Sequence, residues 1–174
     1  EWIARLWEKD YGPDISRELL SAQLEQPLLG VRVNNAKRDI RRLHTSLCSD
    51  SNAVYGVYPF IGAKPGRTGL HREDVAALER QGALSRQSPA VGDILDRLGW
   101  LEWENPIWDA CCGRGGKSMA LMEQGRSVLC SDPYFPRLRH VLREARRLGL
   151  EQPLLVCADG SQPPLARKPS TILL

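Results

Sequence analysis

The stretch that most restricts this chain runs Asp109-Ala110-Cys111-Cys112-Gly113-Arg114-Gly115-Gly116-Lys117-Ser118. It follows Ile107 to Cys111, which reads as a buried strand, and opens a helix expected over about 116–124. Glycines let the backbone approach a ligand closely, and a helix N-terminus offers free N–H groups and positive potential. The Gly-x-Gly-x-x-Gly of dinucleotide folds is absent. A Walker phosphate loop ends as Gly116-Lys117-Ser118 does, but its earlier glycine falls on Cys111, so that pattern fails.

Strand and helix alternate downstream of this turn. Ser127 to Ser131 reads as a strand, 135–148 as a helix ending at Gly149, Leu154 to Cys157 as a third strand, and Thr171 to Leu174 as the start of a fourth. This spacing predicts an α/β fold, a doubly wound, Rossmann-like parallel sheet, incomplete at Leu174. Upstream, Trp2, Ile3, Leu6 and Trp7 share a helical stripe, Tyr11 to Asp14 breaks it, and 15–25 resumes it. Leu29 to Asn34 alternates as a strand, 36–47 reads as a basic amphipathic helix, and 49–70 as loop and hairpin with a strand at 54–58. Residues 72–80 look helical, and Ser88-Pro89 starts a helix that runs to Leu98. The expected division is a small α+β subdomain over 1–85 and the first part of the doubly wound domain over 86–174.

Asp-x-x-x-Gly-x-Gly fits the turn, and this is the form that S-adenosylmethionine-dependent enzymes of the doubly wound class place after their first strand. Two further carboxylates fall at strand ends. Asp132 lies 23 residues after Asp109, where an acid hydrogen-bonds a ribose diol, and Asp159 follows the third strand, where a carboxylate can accept from an adenine amino group. Each taken singly also reads as a helix cap or a surface loop. Cys111 and Cys112 read as small residues beside a cofactor rather than as a catalytic thiol, because no general base is placed beside them.

Charge separates the two halves. Residues 1–108 carry 14 Lys+Arg against 15 Asp+Glu, a net of −1, whereas 109–174 carry 10 against 6, a net of +4. Arg32, Lys37, Arg38, Arg41 and Arg42 form one basic cluster, and Arg137, Arg139, Arg143, Arg146 and Arg147 a second. Each is either a phosphate-facing surface or a solvated helix face. Five cysteines without Cys-x-x-Cys spacing and three scattered histidines argue against a disulfide framework and a metal site. The absence of a long apolar run or a leader pattern argues against a membrane and for the cytoplasm.

The chain resembles the Sun/Fmu-like branch of the RNA cytosine carbon-5 methyltransferases. Cys111, Gly115, Gly116 and Lys117 match that family's Asp-x-Cys-x-x-Pro-Gly-Gly-Lys-Thr motif, with Arg114 in place of its proline. Trp2 to Gly12 is similar to its Trp-Leu…Trp…Tyr-Gly segment, and Val31-Arg32-Val33-Asn34 with Lys37 to its Leu-Arg-Val-Asn…Lys strand. Gly82 to Ser88, Arg137-Leu138 and Arg147-Leu148-Gly149 have counterparts too. The resemblance implies S-adenosylmethionine contacts from Cys111, Cys112, Gly113, Arg114, Gly115, Gly116 and Lys117, with Asp132 and Asp159. It implies RNA contacts from the first basic cluster and a cytosine of small-subunit ribosomal RNA as the substrate. The family's nucleophilic cysteine follows a threonine, and Cys48, Cys111, Cys112, Cys130 and Cys157 follow Leu, Ala, Cys, Leu and Val. No catalytic residue is therefore expected before residue 174, and the isolated segment is expected to be inactive and poorly stable. The rival readings are an RNA-binding module with a relic cofactor fold and a methyltransferase for a non-RNA substrate.

Overall fold

The computed structural model describes residues 1–25, 29–37, 45, 53–55, 58–63, 72–166 and 169–173. The expected basic helix over 36–47, with Arg38, Arg41 and Arg42, lies largely outside the described residues. Helix α1 (Trp2–Leu24) is two helical segments joined at a kink where the break was expected, with non-helical backbone at Gly12. Gly12 takes φ 80°, Pro13 follows, and the Ser16 hydroxyl donates to the Gly12 carbonyl at 2.7 Å. Its apolar stripe is not covered: Trp2 is 74% and Tyr11 55% exposed.

Strands β1 (Leu29–Val33), β2 (Ala53–Tyr55), β3 (Phe60–Ala63) and β4 (Leu84–Arg86) form an antiparallel sheet in the order β2-β3-β1-β4. β3 and β4 are strands that the sequence left inside a hairpin region and a connecting segment. Helix α2 (Arg72–Arg80) packs by β4, and Val31, Val33, Ile61, Val75 and Leu84 form a small apolar cluster. Helix α3 (Pro89–Arg97) follows, with Ser88 at its N-cap and Pro89 in its first turn. The Ser88 hydroxyl makes no capping hydrogen bond, so Pro89 and backbone geometry start this helix.

The second half alternates as expected: β5 (Ile107–Asp109), α4 (Gly116–Glu123), β6 (Val128–Ser131), α5 (Phe135–Leu148), β7 (Leu154–Val156) and β8 (Thr171–Leu173). All pairings are parallel, in the order β7-β6-β5-β8. The chain moves outward from β5 through β6 to β7, then returns to the other side of β5. That reversal is a topological switch point, and it opens a crevice at the carboxyl end of β5. α5 shows why its sequence is a helix here: Leu138, Val141, Ala145 and Leu148 form one buried stripe, arginines take the opposite face, and Gly149 caps it in the left-handed region.

Three polar bolts hold the two sheets together. Asn34, fully buried, donates through Nδ2 to the Gly82 and Leu148 carbonyls, each at 2.8 Å. Arg147 donates to the Leu84 carbonyl at 3.0 Å and the Ser85 hydroxyl at 2.7 Å. Arg32 is the third.

Candidate cofactor site

Asp109 closes β5 with its side chain fully buried. Its Oδ2 accepts from the Ser118 hydroxyl in the first turn of α4, and its Oδ1 has no hydrogen-bond partner among the described residues. Burial pushes its carboxyl above the usual range, opposed by the Ser118 bond and the Lys117 charge. Around it, the Trp108 indole N–H donates to the Ser131 hydroxyl at 2.9 Å, and that hydroxyl donates to the Ala110 carbonyl at 3.1 Å. These bonds fix the ends of β5 and β6 relative to each other.

The turn bends back at Gly115, where φ is 84° and a Cβ would meet Val141 of α5 at 3.0 Å. A side chain there would be strained and crowded at once. Gly113 donates its N–H to Asp132 Oδ2 at 3.1 Å. Asp132, at the end of β6 and nearly fully buried, also accepts from the Tyr134 N–H at 2.8 Å and from Arg137 at 3.3 Å. The third strand end joins them through backbone: a Cβ on Gly160 would meet the Ala110 carbonyl at 3.3 Å and the Cys111 sulfur at 3.9 Å. Cys157 reaches the Pro133 carbonyl at 3.4 Å. Asp159 itself is exposed, and the Ser161 backbone N–H holds its carboxyl below the usual range. The turn, Asp132 and the Asp159 loop thus surround the mouth of the crevice.

The two adjacent cysteines separate. Cys111 is exposed beside Gly160, and Cys112 is buried against Cys130. The Cys130 thiol and burial both push the Cys112 thiol up.

The first basic cluster needs correction. Arg32 is not a surface residue: it is 2% exposed and forms a two-pronged ion pair with Glu123 at the end of α4, both contacts at 2.8 Å. It also donates to Gln87 and, at 2.9 Å, to the Gly116 carbonyl. Burial raises the Glu123 carboxyl, with the Arg32 charge opposing. Arg32 alternates with Val31 and Val33, and a strand with one wet face would put it in solvent. The second half of the molecule covers that face instead. Arg147, from the second cluster, is likewise tied up rather than free. Lys37 is half-buried and donates to the Gln81 carbonyl. Arg114 is exposed, on the side of the turn away from Asp132's partner Gly113 and beside β4 and α5.

No protein-family model and no curated protein matches the chain. Solved structures do. NSun6 from Pyrococcus horikoshii, determined with SFG, superposes with a TM-score of 0.74 at 16% identity, covering 98% of this chain and 68% of that one. The protein PH0851 gives 0.68 at 18% identity, covering 94% and 37%. A methyltransferase homologue from Pyrococcus horikoshii gives 0.65 at 16% identity, covering 88% and 50%. The fold is the Rossmann-like methyltransferase fold. The chain spans 37% and 50% of the lengths of PH0851 and the methyltransferase homologue.

Sequence reasoning missed Ser118 and Glu123 as site residues, and it marked Gln87 only as part of the resemblance over Gly82 to Ser88. Ser118 was legible as a first-turn hydroxyl facing back to the strand end. Glu123 and Gln87 act through Arg32, and nothing local marks Glu123. Among the described residues no His, Cys, Asp and Glu cluster could hold a metal ion, and no helix is long and apolar enough to cross a membrane.

Proposed function

We propose that the chain is the cofactor-binding part of an S-adenosylmethionine-dependent methyltransferase acting on RNA. The carrying observation is the convergence of the glycine turn, Asp132 and the Asp159 loop at the switch point of the sheet. The residues fit such a group. Among the described residues Asp109 keeps a buried oxygen without a hydrogen-bond partner behind the turn, Gly113 leaves the backbone bare, and Asp132 has carboxylate lone pairs able to accept from ribose hydroxyls. In this reading Asp159, exposed on its loop, accepts from the adenine amino group, and Cys111, Cys112, Gly116 and Lys117 belong to the same site. When bound, the cofactor supplies an electrophilic methyl group on a sulfonium. SFG, which accompanies the NSun6 structure, is an analogue of that cofactor, and NSun6 carries the Sun name of the family the motifs resemble.

Carbon 5 of cytosine, in small-subunit ribosomal RNA, is the finer reading, and it rests on the Asp-x-Cys…Gly-Gly-Lys resemblance. Carbon 5 needs activation by a thiolate adding at carbon 6. Cys112 and Cys130 are buried, and the exposed Cys111 and Cys157 follow Ala and Val rather than the threonine of the resembled motif, so in this reading the residues described here bind and orient rather than attack. Titration calorimetry with S-adenosylhomocysteine tests the site: saturable one-to-one binding is expected, and its absence overturns the reading. Tritiated-methyl transfer to unmodified small-subunit ribosomal RNA by the whole gene product, followed by nucleoside analysis, tests the substrate. Label in any product other than 5-methylcytidine overturns the finer part.

A further inference from the structure

The glycine turn has a second face. Gly113 and Cys111 look toward Asp132 and Gly160, whereas a Cβ on Gly116 would meet the Gln87 amide at 3.3 Å. On that second side a cleft of about 330 Å³ runs between the turn, the edge of β4 and α5, lined by Arg86, Gln87, Arg114, His140 and Glu144 among others. Its acids are matched already: Glu79 pairs with Arg86 at 3.0 Å and Glu144 with Arg147 at 2.8 Å. Arg32, also in the lining, is matched by Glu123. Two donors are left over. Arg114 is exposed and His140 half-buried, and neither has a hydrogen-bond or ion-pair partner among the described residues. Beyond His140, α5 continues the positive surface with exposed Arg139, Arg143 and Arg146, and Glu144 is the only acid on the helix.

We propose that this cleft seats a phosphodiester of the RNA strand beside the nucleotide to be methylated, with Arg114 and His140 as its donors. The inference rests on the RNA reading above and adds a place to it. An anion is favoured because every carboxylate in the lining is already paired while a guanidinium is not. A phosphate fits best because a planar guanidinium donates two parallel N–H groups to it. The cleft shares a wall with the turn, so a strand held there lies against the methyl-donor site. Arg114 stands where the resembled motif has a proline, which has neither charge nor N–H. The guanidinium therefore gives this chain a contact on the cleft side and leaves the backbone path of the turn to its glycines.

The test is a salt titration of a short labelled single-stranded RNA on the whole gene product, read by fluorescence anisotropy, with S-adenosylhomocysteine affinity read by calorimetry on the same samples. Arg114→Ala is expected to weaken RNA binding about tenfold at low salt. It should also reduce the slope of log affinity against log salt by about 1. Arg114→Lys keeps the charge and should restore most of the slope, and His140→Gln should weaken binding by a smaller factor. An unchanged slope in Arg114→Ala overturns the proposal. If cofactor affinity falls in that variant while the slope holds, Arg114 belongs to the cofactor, which also overturns it. If the wild-type protein binds RNA with the Arg114-dependent slope but takes no S-adenosylhomocysteine, the cofactor reading fails and the phosphate cleft stands.

Discussion

The cofactor turn and the junction between the two sheets are both built from charged and polar groups buried beside α4, yet they are written into the chain differently. In the turn, partners are near neighbours: Ser118 and Asp109 are 9 residues apart, Gly113 and Asp132 19. At the junction, Arg32 and Glu123 are 91 apart, and Asn34 and Leu148 114. Arg32 therefore looks like one more cation in a basic stretch until the covering half is in place. The lesson is about faces. A period-two pattern tells which side chains oppose each other across a strand, and it does not tell whether the second face meets water or protein.

Three experiments probe that contrast. The largest effect belongs to the junction. Arg32→Met leaves the Glu123 carboxyl buried without its ion-pair partner, and should lower stability by about 3–5 kcal/mol in urea denaturation. Replacing both partners with Met should recover most of the loss. A single variant as stable as wild type would return Arg32 to the surface reading. Because Arg32 also holds the Gly116 carbonyl, the same variant should weaken cofactor binding as well.

Asp132→Ala comes next, with an expected cofactor affinity loss of about 1.5–3 kcal/mol by calorimetry. Part of this reports on Gly113 and Arg137, which the carboxylate also holds. Unaltered affinity would remove Asp132 from the site.

The smallest effect is a pH dependence. Burial raises the Asp109 carboxyl in the folded state, so the fold holds that proton more tightly than the unfolded chain does. Its contribution favours folding at low pH and is lost as pH rises from the ordinary carboxylate value through the raised one. Asp109→Asn should flatten that part of the stability curve, measured as wild type minus variant in chemical denaturation between acid and neutral pH. A parallel pair of curves would contradict the buried-carboxylate account.

These contrasts also explain what could be read in advance. The second half was legible almost strand by strand, because each element carries its own apolar period and its own glycine or proline boundary, as α5 does between Pro136 and Gly149. The first half was less so. β3 and β4 lack the helix-and-strand alternation that frames the equally short strands of the second half, and they pair because β1 lies between them with backbone bonds to offer. At the site, the turn and Asp132 come from local chemistry. The direction in which Arg114 projects does not, since it depends on β4 and α5 arriving from elsewhere.

The place of β5 in its sheet has a kinetic consequence. β5 pairs with β6 soon after it in the chain, but its other edge waits for β8, whose Leu173 carbonyl receives the Ala110 N–H at the very root of the turn. Parallel pairing over so long a loop is closed late and slowly, because chain entropy must be given up before the contact rewards it. The pocket wall is then among the last parts of the molecule to set. A ligand that binds only the finished wall would act as a latch on the end of folding, slowing the first step of unfolding more than it speeds collapse.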